Sequence, residues 1–307
     1  MSIVKVEGLS HRYHRDWAIR DIGFEIDHKG VVGLLGSNGA GKSTVMNILC
    51  GVLNQTEGAV YIDGIDMRQQ PEEAKRRLGF LPQNAPLHLE LTVEEYLRYC
   101  AGIRSIPDSR ITQAVNDVME RCGVAHFSKR LLRNLSGGYR QRVGIAQAIV
   151  HQPEVVVLDE PTNGLDPNQI LEMRKLIKQI AQRSVVIFSS HALVEIQATC
   201  RDVKMIEDGR MVFADSMEAF NNHVLPDTLW LSMDNPPAAA ELSAIPGVTQ
   251  VERLDDGTLR LRFEASTDLS KKIIAMSMQR GWELKEIAVE KSSLDQIFAQ
   301  LSSRRPR

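Results

Sequence analysis

The residues able to do chemistry begin at Gly36. Gly36, Gly41, Lys42 and Ser43 stand at the spacing G-x-x-x-x-G-K-[ST], between the apolar run 31–35 and the helical run 45–50. Ser37, Asn38, Gly39 and Ala40 fill the loop, and Thr44 follows it. Glycines let such a loop curl so that backbone N–H groups point inward, an arrangement that suits phosphate. The helix behind adds the positive end of its dipole. Lys42 has the reach for β- and γ-phosphates, and the Ser43 hydroxyl can ligate Mg²⁺. The expected chemistry is therefore binding of a phosphorylated nucleotide.

Two further stretches carry chemistry. Val155-Val-Val-Leu158 is a continuous apolar run that ends in Asp159-Glu160. This is the pattern of a strand buried on both faces of a parallel sheet, whose carboxyl end faces a ligand crevice. Asp159 is placed to hold Mg²⁺, and Glu160 to polarise an attacking water. Leu135-Ser136-Gly137-Gly138 precedes a helix. By itself this turn fits either a second anion site or only a capped helix start.

The elements that must position these groups follow from periodicity. Strands are expected from Ile3 and over 22–26, 59–62 and 78–81. A helix over about 71–77 starts with proline and acids and ends in bases. Residues 84–150 read as a helical subdomain. Within it Thr92-Val-Glu-Glu95 forms a capping box opening a helix to about Ala101, and Asp108 opens a second helix through Cys122. Strands at 155–158 and 185–188 alternate with helices over about 167–182 and 192–200. The strands 203–206 and 210–213 form a hairpin around Asp208-Gly209. Prolines punctuate 225–237. Beyond them the order is strand (228–233), helix (237–244), strand (248–254), strand (258–263), helix (269–279), strand (282–289) and a tail helix (293–301). That is β-α-β-β-α-β, a ferredoxin-like order. The expected division is 1–220 and 221–307.

The whole chain narrows the alternatives. Its 307 residues suffice for two domains, and a net charge of −2 gives no global basic field for nucleic acid. The one basic run, Arg304–Arg307, reads as a solvated tail. Cys50, Cys100, Cys122 and Cys200 form no C-x-x-C pair, so zinc and redox motifs are unsupported. The start of the chain reads as a strand and not a signal peptide, and no apolar run is long enough to span a bilayer. The expectation is a soluble, cytoplasmic chain that meets a membrane only through a partner.

Taken together, Gly36–Thr44, Gln83, Leu135–Gln141, Val155–Glu160, Asn163-Gly-Leu-Asp166 and His191 resemble the nucleotide-binding subunit of an ATP-binding-cassette (ABC) transporter over about 2–220. Leu-Ser-Gly-Gly-x-x-Gln is the most specific of these motifs. The resemblance implies an α/β fold: a RecA-like core with an antiparallel β and a helical subdomain. It implies ATP and Mg²⁺ as ligands, and hydrolysis of ATP. It places Tyr13 as the aromatic that stacks on adenine. Gln83 would touch Mg²⁺ and the attacking water, and His191 would hold the γ-phosphate. Ser136, Gly137 and Gly138 would contact ATP bound on an opposite subunit, and Asp166 would lie in a loop crossing that interface. Proline usually follows the first glycine of the loop in this family, where this chain has Ser37. The implied partners are a separate membrane-spanning permease and a second cassette, by default a copy of this chain and otherwise a related subunit. The location would be peripheral, on the cytoplasmic face of the cell membrane. Ile245–Gln250 and Lys291–Phe298 resemble the accessory domain of bacterial exporter ATPases, including multidrug, antibiotic-resistance and gliding-associated systems. A soluble ABC ATPase working on DNA or the ribosome is the alternative. Such chains usually carry two cassettes, a long coiled coil or zinc modules, none of which this sequence shows.

Overall fold

The computed structural model describes residues 2–223, 228–254, 258–264 and 268–289. They fall into two compact units that part after Met217. In the first unit the elements are β1 (Val4–Tyr13), β2 (Asp16–Ile26), β3 (Gly30–Leu35), α1 (Lys42–Leu49), β4 (Glu57–Ile62), β5 (Ile65–Asp66), α2 (Pro71–Arg76), β6 (Leu78–Leu81), α3 (Val93–Ile103), α4 (Asp108–Arg121), α5 (Gly137–Ile149), β7 (Val155–Leu158), α6 (Pro167–Ile180), β8 (Val185–Ser190), α7 (Leu193–Thr199), β9 (Asp202–Glu207) and β10 (Arg210–Ser216). The short α8 (Met217–His223) begins at the division.

Two sheets build this unit. One is antiparallel, in the order β2-β1-β4-β5; the other is six-stranded, in the order β10-β9-β3-β8-β7-β6. In the second, β9, β3, β8, β7 and β6 are parallel, and β10 closes the edge antiparallel to β9. All four residues of β7 are fully buried, as an unbroken Val-Val-Val-Leu run in a central parallel strand requires. Parallel pairing in register brings the carboxyl ends of β3, β7, β8 and β6 to one edge, since Leu35 pairs with Ser190 and Leu158 with Phe188 and Leu81. The phosphate loop, Gln83, Asp159-Glu160 and His191 follow these strand ends.

The helical part consists of α3, α4 and α5. Thr92 caps α3 through the Glu95 amide, and Glu95 accepts the Thr92 amide at 2.8 Å, the reciprocal pair expected. Helix α5 lies close on β6. A Cβ at Gly79 would stand 1.9 Å from the Ala148 carbonyl oxygen, and the Gln147 side chain donates to the Phe80 carbonyl at 2.7 Å. Cys50, Cys122 and Cys200 are buried free thiols. No helix among the described residues is long and apolar enough to cross a membrane.

The second unit contains β11 (Thr228–Met233), α9 (Ala239–Ser243), β12 (Val248–Arg253), β13 (Leu259–Phe263), α10 (Leu269–Arg280) and β14 (Leu284–Val289). Its sheet is antiparallel in the order β12-β13-β11-β14. Leu229, Leu231, Leu261, Leu242, Ile273 and Trp282 form its core, with strand residues two apart sharing the inner face. The expected tail helix, the Lys291–Phe298 motif and the basic tail lie outside the described residues.

The close approach at Gly79 gives a test. Gly79→Ala should force α5 away from β6 and cost about 1–3 kcal/mol, the usual range for overpacking. The urea midpoint of the first unit checks it.

Candidate nucleotide site

Lys42 opens α1 and turns its side chain back into the loop. Its ammonium donates to the carbonyls of Gly36 at 2.8 Å and Ser37 at 3.0 Å, and the residue is 6% exposed. Burial pulls its pKa down, while the carboxylates of Glu160, Asp159 and Glu207 oppose that and favour the charge. The loop runs through Gly41, whose φ of 105° L side chains rarely adopt. Gly41 also leaves no room for a Cβ, which would stand 2.5 Å from Ile19 of β2.

The β9–β10 turn holds the loop from the other side. The Gly209 amide donates to the Ala40 carbonyl at 3.1 Å, and the Arg20 amide donates to the Gly209 carbonyl at 2.7 Å. A cleft of about 520 Å³ opens above the loop. Tyr13, Asn38, Gly39, Gly41, Lys42, Ser43, Thr44, Gln83, Glu160 and His191 line it, with Ala18 and Asn163. Tyr13 is 48% exposed, with one edge contact to His11 at 4.6 Å between ring centroids.

The carboxylates are fixed by β8. Ser189 Oγ donates to Asp159 Oδ1 at 2.6 Å and accepts the Glu160 amide at 2.8 Å. Glu160 has φ 47°, an uncommon backbone for a non-glycine residue. Its carboxylate sits 3.0 and 3.1 Å from His191 Nδ1. An ionised carboxylate only accepts, so Nδ1 carries the shared proton while Glu160 is charged. Asp159 is 4% exposed and lies behind the cleft surface.

The remaining expected residues lie elsewhere. Ser136, Gly137 and Gly138 start α5, and Asp166 starts α6; none of them lines the cleft. Ser136 makes no side-chain cap bond, so the plain capped start is not what the structure has. Asp166 does have a local task, accepting the Gln169 amide at 2.9 Å as the cap of α6. Gly36, Ser37 and Ala40 form the back of the loop. Ser189, which holds Asp159 and the Glu160 amide, was not among the residues expected from the sequence.

These residues fit the expected ligands. The cleft offers an ammonium that donates to loop carbonyls, the amides of a loop ahead of α1, a hydroxyl at Ser43 and an exposed aromatic at Tyr13. For Mg²⁺ the oxygen donors at hand are Ser43, Gln83 and Asp159, the hard set that this cation takes. Fold and site define a phosphate-loop nucleotide-binding protein.

Comparison with known proteins narrows this class. A family profile described as "ABC transporter" matches residues 19–163. The chain is 34% identical over 204 residues to the ABC transporter ATP-binding protein NatA of Bacillus subtilis, covering 66% of this chain and 83% of that one. It is 31% identical over 305 residues to the bacitracin transport ATP-binding protein BcrA of Bacillus licheniformis, covering 98% and 97%. A solved structure titled as the ATP-binding subunit of an ABC transporter superposes with a TM-score of 0.65 at 26% identity, over 72% of this chain and 92% of that one. The chain belongs to the ABC transporter ATP-binding subunits, and is an ATPase.

Ser189 supplies a test. Ser189→Ala leaves a buried carboxylate and the Glu160 amide without that partner. Stability should fall by about 2 kcal/mol, and kcat for ATP by at least about tenfold through misplacement of Glu160. Urea denaturation and steady-state hydrolysis read the two effects.

Proposed function

We propose that this chain is the ATP-hydrolysing subunit of an exporter, working as a homodimer on a separate membrane-spanning permease. The observation that carries export is the span of the relatives. BcrA, named for bacitracin transport, covers 98% of this chain. The linearmycin resistance ATP-binding protein LnrL of Bacillus subtilis is 25% identical over 307 residues, covering 98% of this chain and 99% of that one. Both therefore align with the C-terminal unit as well as the cassette. We read that unit as a ferredoxin-like accessory domain, since its strand order is the one that fold takes. The chain acts peripherally on the cytoplasmic face of the membrane, with no role for nucleic acid.

The site suggests a mechanism. Tyr13 stacks on adenine, while Lys42 and the amides around Gly39 to Thr44 hold the β- and γ-phosphates. Ser43, Gln83 and Asp159 would hold Mg²⁺, which would supply neutralisation of phosphate charge. Glu160 accepts the proton of the attacking water, and His191 orients both Glu160 and the γ-phosphate. One chain leaves the cleft open, because Ser136, Gly137 and Gly138 start a different helix. A second copy brings those residues, with Asp166 at the seam, over the phosphate. ATP then bridges the two subunits, and hydrolysis weakens the bridge, so closure and opening drive the permease.

Glu160→Gln should retain ATP binding and lower kcat about 10²- to 10⁴-fold, the usual worth of a positioned base. Equilibrium binding and hydrolysis assays separate the two. Wild-type turnover in this variant would remove Glu160 as the base. The same variant, used with ATP and Mg²⁺ as bait in detergent-solubilised membranes, should retain a polytopic permease. Recovery of ribosomes or DNA-repair proteins without a permease would overturn the transporter reading.

A further inference from the structure

Glu207, the last residue of β9, belongs to none of the motifs above. Its carboxylate holds Ser37, whose hydroxyl lies 3.0 Å from both Oε1 and Oε2. The Ser37 amide donates to Oε2 at a longer 3.4 Å. The Ser37 carbonyl in turn accepts from the Lys42 ammonium at 3.0 Å. A continuous series of contacts thus runs from β9, through the back of the loop, to the cation that the phosphates meet. Glu207 does not line the cleft. Its charge therefore addresses the rear of the loop and leaves the phosphate-facing amides free.

This contact coincides with the one departure of the loop from its family pattern. A proline at this place fixes φ through its ring and lowers the entropy lost when the loop orders. Serine has no such restraint. A hydroxyl anchored on a carboxylate supplies one, at the worth of a charge-assisted hydrogen bond.

We propose that Glu207 is a positioning residue for nucleotide binding, holding the back of the phosphate loop through Ser37 in place of a proline ring. The proposal rests on the reading of the cleft as the ATP site.

A double-mutant cycle on the full chain tests it. The variants are Glu207→Ala, Ser37→Ala, their combination, Ser37→Pro, and Ser37→Pro with Glu207→Ala. Displacement of a fluorescent ATP analogue in the presence of Mg²⁺ gives the affinity, and steady-state hydrolysis gives KM and kcat. Glu207→Ala should weaken ATP binding about three- to tenfold, in KM and not in kcat. The combination with Ser37→Ala should be no weaker than the worse single variant. In the Ser37→Pro chain, Glu207→Ala should have no further effect. Equal affinity of Glu207→Ala and wild type would overturn the proposal. So would an undiminished effect of Glu207→Ala in the Ser37→Pro chain, which would mean that Glu207 acts on Lys42 by charge alone. If Ser37→Pro does not fold, the Ser37→Ala cycle decides, with additive losses as the overturning result. Absence of ATP binding by the wild-type chain would instead remove the reading of the cleft itself, and the proposal with it.

Discussion

A buried ammonium needs compensation from every side, and Lys42 sets that demand here. Two loop carbonyls accept from it, and the carboxylates of Glu160, Asp159 and Glu207 favour its charge. Asp159 and Glu160 follow β7 and Glu207 ends β9, so the compensation exists only when β7 and β9 end level with β3. Parallel pairing in register enforces that level, with Leu35 opposite both Ser190 and Met205 and Leu158 opposite Phe188. Each carboxylate is restrained in turn: Asp159 by Ser189, Glu160 by His191, Glu207 by Ser37. A slip of one residue in any of these strands would carry a charge to the other face of the sheet. The sheet is thus a device for making separate stretches of chain converge on one cation.

What could be read before folding is what lies close together along the chain. The phosphate loop occupies eight consecutive residues, and its requirements are local: glycines that bend, a lysine and a hydroxyl at a helix start. The capping box of α3 has its two partners three residues apart. Asp159 and Glu160 announce themselves as charges ending an apolar run. Ser189 could not be found this way, because its partners lie 29 and 30 residues earlier and become neighbours only once β8 pairs with β7.

The antiparallel sheet shows a different limit. Strands were expected from Ile3 and over 22–26, with the end of the first left open; β1 runs to Tyr13 and β2 starts at Asp16. Register shifts between Val6 and Arg12 break the alternation that a period of two would reveal. The turn is made by His14 at φ 55°, with neither glycine nor asparagine to mark it. The aromatic at the cleft therefore sits on a strand whose reach was hidden by its own bulges. For the C-terminal unit the order of elements along the chain was readable, because Leu229, Leu231 and Leu261 keep a clean alternation.

The β9–β10 turn joins these two worlds. Gly209, at φ 69°, would place a Cβ 2.5 Å from the Ala18 carbonyl oxygen, and its own amide and carbonyl bond the phosphate loop and β2. Ala18 and Ile19 are thereby wedged between Gly209 and Gly41. The antiparallel sheet and the phosphate loop are then one cooperative unit against local opening. A ligand that binds only the intact loop draws down the open population of both together. Nucleotide occupancy would thus be felt as slowed hydrogen exchange at amides such as Arg20 and Gly209, which do not line the cleft. The thermodynamic boundary of the site extends a full strand beyond its chemical one.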